Sequence, residues 1–294
     1  MPNSHQAPRQ GMSGFLLSVP SGLLLLSLYV GPLVCLLLLA FTNYEMGNVN
    51  IEWVGFSNFA HVWSDLVFRR SLWNTLVYVL LVVPLSVIGG LVVALLVHAR
   101  KKTRSFYEVI YFLPVTSTLI AMATVWQFLL HPKLGPVNSL LNLVGVPSMN
   151  FLGDPTLMMA TLAAIGIWQL LGFNMILFLT GLSNIPKELY EAASMDGVTH
   201  SVDRFLSITW PMLGPTTLFV VVTSTITGFK VFDTVAVLTQ GRNQSEVLLY
   251  DIYLEGFTYA KMGYASVLTL IFLLIIVGLS AWQSKHMDKT VHYA

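Results

Sequence analysis

Six apolar stretches, each long enough to cross a membrane as a helix, dominate the sequence. A helix needs about 20 apolar residues to cross roughly 30 Å of hydrocarbon. Backbone amides cannot stay unpaired in lipid, so stretches of this length are predicted to be helices rather than loops. The predicted spans cover residues 15–41, 72–97, 106–130, 157–182, 208–230 and 264–282. We therefore predict an all-α polytopic membrane protein with six transmembrane helices. Its transmembrane domain is predicted at residues 15–284, with tails at 1–14 and 285–294.

The composition excludes most soluble classes of protein. Only 10% of the 294 residues are charged, whereas a soluble globular domain carries about 25%. The net charge of +1 leaves no broad basic surface, so nucleic acid is not a predicted partner. Membrane lipid is a predicted partner because of the apolar spans. The sequence contains no H-E-x-x-H metal motif and no G-x-S-x-G nucleophile elbow. Neither a catalytic site nor a metal site is therefore predicted.

The distribution of lysine and arginine predicts the orientation in the membrane. Basic residues accumulate in connections on the cytoplasmic side. Nine of them fall on the side that carries both tails, five fall on the other side, and Lys230 ends the fifth span. The strongest contrast is the cluster Arg100, Lys101, Lys102 and Arg104 between spans two and three. Both termini, and the connection between spans four and five, are therefore predicted to be cytoplasmic.

The connection between spans four and five has the pattern of two short helices separated by a glycine. Pro186 suits the first turn of a helix, and residues 187–195 are rich in helix formers with a partly apolar face. Gly197 permits the positive φ that ends a helix, and a second short helix is predicted at 201–207. The polar face is mixed to acidic, which favours a groove in a protein over a lipid surface as its binding site.

The same connection resembles the EAA signature of the permeases of ABC importers. The matching residues are Glu191, Ala192, Ala193, Gly197, Ile208 and Pro211. The context is similar to the carbohydrate-type branch, which includes the maltose and glycerol-phosphate permeases. That second likeness rests on Ile185, Pro186, Glu188, Leu189, Tyr190 and Asp196, on Trp73-Asn74-Thr75-Leu76, on Leu113-Pro114, and on Phe229 to Asp233. It extends over nearly the whole chain from the first span.

Three positions depart from the family's pattern. Ten residues separate Gly197 from Ile208, one more than the usual number. Trp210 stands where leucine is usual, and Gln240-Gly241-Arg242-Asn243 stands where the family has Gly-Gly-Pro. The first two departures bear on the position of the segment at about residues 184–207. The third bears on the predicted outer connection after span five.

The resemblance implies that a cytoplasmic coupling helix, within the segment at about 184–207, binds a separate ATPase. The implied coupling residues are Glu191, Ala192, Ala193, Asp196, Gly197 and Pro211. In that scheme Glu191 makes polar contacts with a groove in the ATPase, the two alanines allow close approach, and Gly197 turns the chain. The sequence contains no G-x-x-x-x-G-K-[ST] phosphate-binding pattern. ATP and Mg are therefore expected in the ATPase, and no cofactor is expected in this chain.

The resemblance also implies the rest of the assembly. A second permease subunit, most simply in a heterodimer, two ATPase subunits and an extracytoplasmic solute-binding protein are the expected partners. The expected location is the bacterial inner membrane, and the expected cargo is a carbohydrate or a carbohydrate-derived solute.

Polar residues inside the spans, and aromatic residues beside them, are candidates for contact with the solute. These candidates are Asn74, Tyr78, Trp126, Gln127, Trp168, Gln169, Phe173, Asn174, Phe229 and Lys230. Spacings of four and five place parts of the group on related faces of span four. Each candidate could instead pack between helices or form an interhelical hydrogen bond. Lys230 could likewise pair with Asp233, three residues further on.

Two other classes of protein remain as alternatives at this stage. A secondary transporter driven by an ion gradient is expected to have more spans, inverted repeats and buried carboxylates for coupling. The predicted spans contain almost no Asp or Glu, which favours the importer. Composition alone leaves open a membrane scaffold without transport activity.

Overall fold

The chain is mainly helical in the part that its computed structural model describes. The description covers the backbone of residues 10–100, 102–198 and 200–288, and their side chains except at 10–16, 119, 287 and 288. Over these residues the β-pairing is limited to one isolated bridge between Thr42 and Trp53. The predicted all-α class is confirmed. Arg9, Lys101 and Lys289 of the predicted charge bias, and most of both predicted tails, lie outside the described residues.

Fourteen α-helices occur in the described part of the chain, joined by turns and short irregular segments. They are α1 (Gln10–Leu25), α2 (Gly31–Leu39), α3 (Ser57–Ser64), α4 (Leu66–His98), α5 (Arg104–Thr116), α6 (Leu119–Leu129), α7 (Pro136–Leu143), α8 (Pro155–Ser183), α9 (Lys187–Met195), α10 (Ser201–Arg204), α11 (Trp210–Met212), α12 (Gly214–Phe229), α13 (Leu248–Tyr253) and α14 (Met262–Asp288). Single π-helical turns cover Leu26–Val30, Phe205–Thr209, Val235–Thr239 and Leu254–Thr258, and a 3₁₀ turn covers Arg242–Gln244.

Four continuous helical segments of the described chain are long and apolar enough to cross a membrane. They are Leu17–Leu39, Leu66–His98, Pro155–Ser183 and Met262–His286. Two further pairs of helices meet the same requirements only together. The axes of α5 and α6 differ by 101°, and the axis of the stretch Ser201–Met212 differs from that of α12 by 68°. The described chain thus has four candidate spans, or up to six if each bent pair forms one span.

The predicted third and fifth spans differ from the structure because each contains a break. In the third, Ser117 between α5 and α6 has an extended backbone with ψ 143°. In a continued helix the Leu113 carbonyl would accept from the Ser117 amide, and here it accepts from the hydroxyl groups of Thr116 and Ser117 at 2.9 and 3.2 Å. Pro215 stands directly after the break that precedes α12. Hydrophobicity predicted these spans but does not reveal a bend within one.

The chain forms two compact units. The first comprises the described residues within 1–62 and 254–270. Here the Gly263 amide donates a hydrogen bond of 2.8 Å to the Tyr44 carbonyl, and the Asn58 side chain donates to the carbonyl groups of Ala40 and Thr42 at 3.0 and 2.8 Å. These bonds satisfy backbone groups in a connection that has little regular structure.

The second unit comprises the described residues within 63–253 and 271–294. Its core is built on the long contact between α4 and α8, against which α5 and α12 also pack. Gly90 allows α4 to approach α8 closely, because a Cβ at that position would lie 2.7 Å from the Cβ of Asn174. Small residues at helix contacts are the usual means of close packing in membranes.

Candidate functional site

The helix α9 begins and ends where the sequence predicted. It covers Lys187–Met195 and directly follows Pro186. Gly197 has φ +85°, the Gly197 amide donates to the Ser194 carbonyl at 3.3 Å, and the Val198 amide donates to the Ala193 carbonyl at 2.9 Å. These two bonds and the left-handed glycine form a Schellman motif, which satisfies carbonyl groups at the helix end. The predicted glycine break is therefore confirmed as a backbone feature.

A side chain that the sequence did not single out holds this turn in place. Arg204, the last residue of α10, donates from Nε to the Val198 carbonyl at 3.2 Å and from Nη2 to the Ser194 hydroxyl at 2.8 Å. The Tyr190 and Thr209 hydroxyls also lie 3.0 Å apart, so α9 is bonded to the chain that leads into α11. These bonds hold together α9, α10 and the turn between them, and we call this segment, residues 187–204, the braced hairpin.

The braced hairpin leaves most of α9 exposed. Among the coupling residues implied by the resemblance, Glu191, Ala192, Asp196, Gly197 and Pro211 are exposed, and Ala193 is half-buried. Met195 exposes 89% of its surface and Leu189 exposes 40%. Among the described residues, no ion pair involves an acidic residue of this helix. An exposed helix with apolar and acidic side chains, and with a fixed backbone, is suited to bind another protein.

A π-helical turn lies at the end of the longer spacing between Gly197 and Ile208. The turn covers Phe205–Thr209 and lies between α10 and α11. A π-helical turn closes its hydrogen bond over five residues instead of four, and such turns commonly mark functional sites. Ile208 within it is buried, and Trp210 after it exposes 45% of its surface. The segment with the longer spacing therefore contains a local change of helix type.

A cavity of about 230 Å³ lies among α4, α8 and the end of α12. Three predicted pathway residues, Tyr78, Gln169 and Lys230, line it. Its other lining residues are Gly166, Leu170, Ile226, Thr227, Val231, Phe232, Asp233 and Thr234. The buried Thr234 hydroxyl has no hydrogen-bond partner among the described residues. The described ion pairs do not include one between Lys230 and Asp233, so both charged groups are available at the cavity.

Gly166 and Thr234 were not among the residues predicted from the sequence. A Cβ at Gly166 would collide with the Tyr78 hydroxyl, so the glycine leaves space for that hydroxyl. A threonine and a glycine in apolar surroundings are common packing residues, and only their positions at the cavity distinguish them.

Asn174 lies in the helix packing instead of the cavity. Its side chain is fully buried, donates to the Ser86 hydroxyl at 3.3 Å, and accepts from the Ser224 hydroxyl at 3.0 Å. One amide group therefore links α4, α8 and α12. Burying the amide is favourable because its carbonyl and its N–H are both paired.

Asn74 is also a structural connector in this chain. Its amide donates to the carbonyl groups of Gln244 and Glu246 at 2.7 and 2.8 Å, and the neighbouring Thr75 hydroxyl accepts from the Leu248 amide at 2.8 Å. These bonds secure a segment in which the non-glycine residues Gln240, Asn243 and Gln244 have positive φ. Gln240 thus adopts the left-handed conformation where the family's pattern has glycine.

The remaining predicted pathway residues are spread around the same helices. Trp126 and Trp168 make an edge-to-face contact with ring centroids 5.4 Å apart. Gln127 is exposed, Phe173 is half-buried and Phe229 is buried. In the described residues no group of three or more His, Cys, Asp or Glu side chains is arranged to hold a metal ion.

Comparison with known proteins identifies the family. Residues 67–291 match the family described as binding-protein-dependent transport system inner membrane component. The chain belongs to this family. It is 31% identical over 82% of its length to the sn-glycerol-3-phosphate transport system permease protein UgpA of Agrobacterium fabrum, covering 83% of that protein. It is 28% identical over 92% of its length to the arabinooligosaccharides transport system permease protein AraP of Bacillus subtilis, covering 87% of that protein.

A solved structure has the same fold. It is a chain of a bacterial alginate ABC transporter, crystallised with an alginate pentasaccharide-bound periplasmic protein. The TM-score is 0.83 at 22% identity, with 95% of this chain and 96% of that chain covered.

Membership in the family decides the class of this protein. It is a permease of the ABC transporter type, located in the bacterial inner membrane, and it is a transport protein rather than a catalytic enzyme. The family thereby favours this role over a transporter driven by an ion gradient.

Proposed function

We propose that this permease forms half of the translocation pathway of an importer for a carbohydrate or a carbohydrate-derived solute. Its relatives UgpA and AraP are named for sn-glycerol-3-phosphate and arabinooligosaccharides, which supports this class of cargo. The proposed assembly contains a second permease subunit in a heterodimer, two ATPase subunits that bind ATP and Mg, and an extracytoplasmic solute-binding protein.

In this proposal each bent helix pair crosses the membrane as one span, which gives six. The excess of lysine and arginine on one side supports a cytoplasmic position for both termini. In the same proposed topology α9 and the braced hairpin lie in the cytoplasm, on the side where an ATPase would bind.

The observation that carries the coupling role is the exposed but rigid helix α9. Glu191, Ala192 and Asp196 face solvent, while Arg204 and the Schellman motif hold the helix end. A helix that is already ordered loses little conformational entropy when it binds. We assign the contact with the ATPase to Glu191, Ala192, Ala193 and Asp196, and the turn geometry to Gly197 and Pro211.

A cysteine crosslink tests the coupling role. In a background where the one cysteine, Cys35, is replaced by serine, Ala192→Cys is expected to crosslink to a co-expressed ATPase subunit with a short bifunctional reagent. Leu143→Cys is the matched control, because Leu143 is 82% exposed at the end of another short helix, α7, on the opposite side in the proposed topology. Crosslinks from both positions, or from neither while the complex stays assembled, would contradict the assignment.

The cavity is proposed to be this chain's part of the solute pathway. Tyr78, Gln169 and Lys230 offer a hydroxyl, an amide and an ammonium group, and Thr234 adds an unpaired buried hydroxyl. Hydroxyl-rich solutes need several such partners, because each unpaired polar group costs free energy on binding. The other candidates from the sequence then act by shaping the surrounding helices: Asn74, Trp126, Gln127, Trp168, Phe173, Asn174 and Phe229.

Gln169→Leu is expected to raise the KM for uptake about tenfold, because one hydrogen bond to the solute is lost in a partly desolvated site. Uptake would be measured in proteoliposomes with the solute that stabilises the cognate binding protein against heat. Thr223→Val is the control, since the Thr223 hydroxyl bonds within its own helix and does not line the cavity. An unchanged KM for Gln169→Leu would exclude contact between Gln169 and the solute.

A further inference from the structure

A groove on the surface of the second unit lies where α4 ends and α5 begins. Its volume is about 170 Å³. Its lining residues are Val93, Leu96, Val97, Arg100, Tyr107 and Tyr111. Three apolar side chains come from the last turns of a membrane-spanning helix, and the polar side chains come from the connection and from the first turns of α5. In the proposed topology, on which this inference rests, the groove crosses the boundary between hydrocarbon and water.

The direction of the two helices gives the groove a polar end and an apolar end. Side chains in a helix lean towards its N-terminus. The side chains of Val93 and Leu96 therefore lean away from the connection and towards the hydrocarbon, and Leu96 exposes 64% of its surface. Tyr107 and Tyr111 lean towards the connection because α5 begins there. The two phenol groups thus point towards the level of the lipid headgroups, where tyrosine is commonly found.

Arg100 supplies an available positive charge at the polar end. Its side chain is exposed, and none of the described ion pairs includes it. The nearby Arg104 differs, because its Nε bonds the Glu108 carboxylate at 2.7 Å and its Nη2 lies 3.4 Å from the Ser183 hydroxyl. The hydroxyl groups of Tyr107 and Tyr111 have no hydrogen-bond partner among the described residues. One guanidinium and two hydroxyl groups are therefore free to bind an anion.

We propose that this groove binds one phospholipid with an anionic headgroup. The phosphate bonds Arg100 and the two tyrosine hydroxyls, and one acyl chain lies along Val93 and Leu96. Arginine suits this role because its planar donors match phosphate oxygens. A basic site between helices at the membrane surface is a recognised form of lipid binding. A soluble anion would use the polar end only and would leave the apolar end unfilled. The site does not depend on which solute the permease carries.

Native mass spectrometry of the full chain in detergent tests the proposal. Titration with phosphatidylglycerol is expected to show one retained lipid, bound at least fivefold more tightly than phosphatidylcholine. Arg100→Gln is expected to weaken retention of phosphatidylglycerol about fivefold, the effect of one basic residue at a membrane surface, and Arg100→Lys is expected to recover part of it. Lys102→Gln is the matched control, because Lys102 is exposed in the same connection but does not line the groove.

Several outcomes would overturn the proposal. Equal losses for Arg100→Gln and Lys102→Gln would mean diffuse attraction to the basic connection. Displacement of the lipid by inorganic phosphate would mean an anion site without an acyl chain. Equal retention of both lipids would mean that the charge of the headgroup does not contribute to binding in the groove. A crosslink from Leu96→Cys to the co-expressed second permease, with loss of the bound lipid on assembly, would mean that a protein covers the groove.

Discussion

Replacing Gly197 by valine is expected to lower solute uptake and solute-stimulated ATP hydrolysis at least tenfold, while the permease remains in the membrane. Gly197 has φ +85°, and a Cβ there would meet nothing within 4 Å. The cost is therefore in the backbone and not in packing, and it amounts to about 1–3 kcal/mol for a β-branched residue. The chain relieves this strain by abandoning the turn, which moves the Val198 carbonyl away from Arg204 and releases the end of α9.

A second glycine in the same chain provides the control. Gly145 follows α7 with φ +80°, also has open space around it, and makes the same pair of helix-ending bonds through Asn142 and Leu141. Gly145→Val carries the same backbone strain away from α9 and is expected to leave coupling unchanged. Gly197→Asn should recover much of the activity, because asparagine tolerates the left-handed region. Equal loss of coupled ATPase activity for both valine variants would refute a specific role for the turn at Gly197.

Gly172→Ala is expected to destabilise the permease by about 2–3 kcal/mol, which is seen as a lower melting temperature in detergent and less protein in the membrane. A Cβ at this position of α8 would collide with the Tyr111 carbonyl of α5. A backbone atom cannot rotate away as a side chain can, so the two helices must separate. Because α5 and α8 form one of the larger helix contacts of the second unit, the separation disturbs a substantial part of its packing.

Gly278→Ala separates this steric effect from a general effect on helices. Gly278 lies within α14, and a Cβ there would meet nothing within 4 Å. Alanine favours helix over glycine by up to about 1 kcal/mol, so this variant should be neutral or slightly more stable. If Gly172→Ala melts at the same temperature as the unchanged protein, the close approach of α8 to Tyr111 is not a feature of the folded permease.

Local signals explain why α9 could be predicted to the residue. Pro186 and Gly197 fix the two ends of the helix through their own backbone preferences, which need no tertiary contact. The bracing by Arg204 could not be predicted in this way, because it depends on a turn that brings residues 194, 198 and 204 together. The extra residue before Ile208 was visible in the sequence, but the π-helical turn at Phe205–Thr209 was not.

The spans show a similar division between local and tertiary information. Apolar length located the long helices α4, α8 and α14, since length and composition suffice for that purpose. It gave no sign of the 101° bend between α5 and α6, where Ser117 leaves the helical conformation. Polarity alone also grouped Gln169 with Asn174. Burial then separates them, because one lines a cavity and the other links three helices.

Only three residues, Asn184, Ile185 and Pro186, connect α8 to α9. The Asn184 amide is still bonded to the Thr180 carbonyl, Ile185 is buried, and the ring of Pro186 fixes its own φ. The connection between α8 and α9 therefore has little conformational freedom. Gln169 lies 14 residues before the end of α8, about 21 Å along the helix axis. In the proposed importer, a displacement of α9 by the ATPase would reach the cavity wall as the movement of one continuous helix, with no relay of side-chain rearrangements between them.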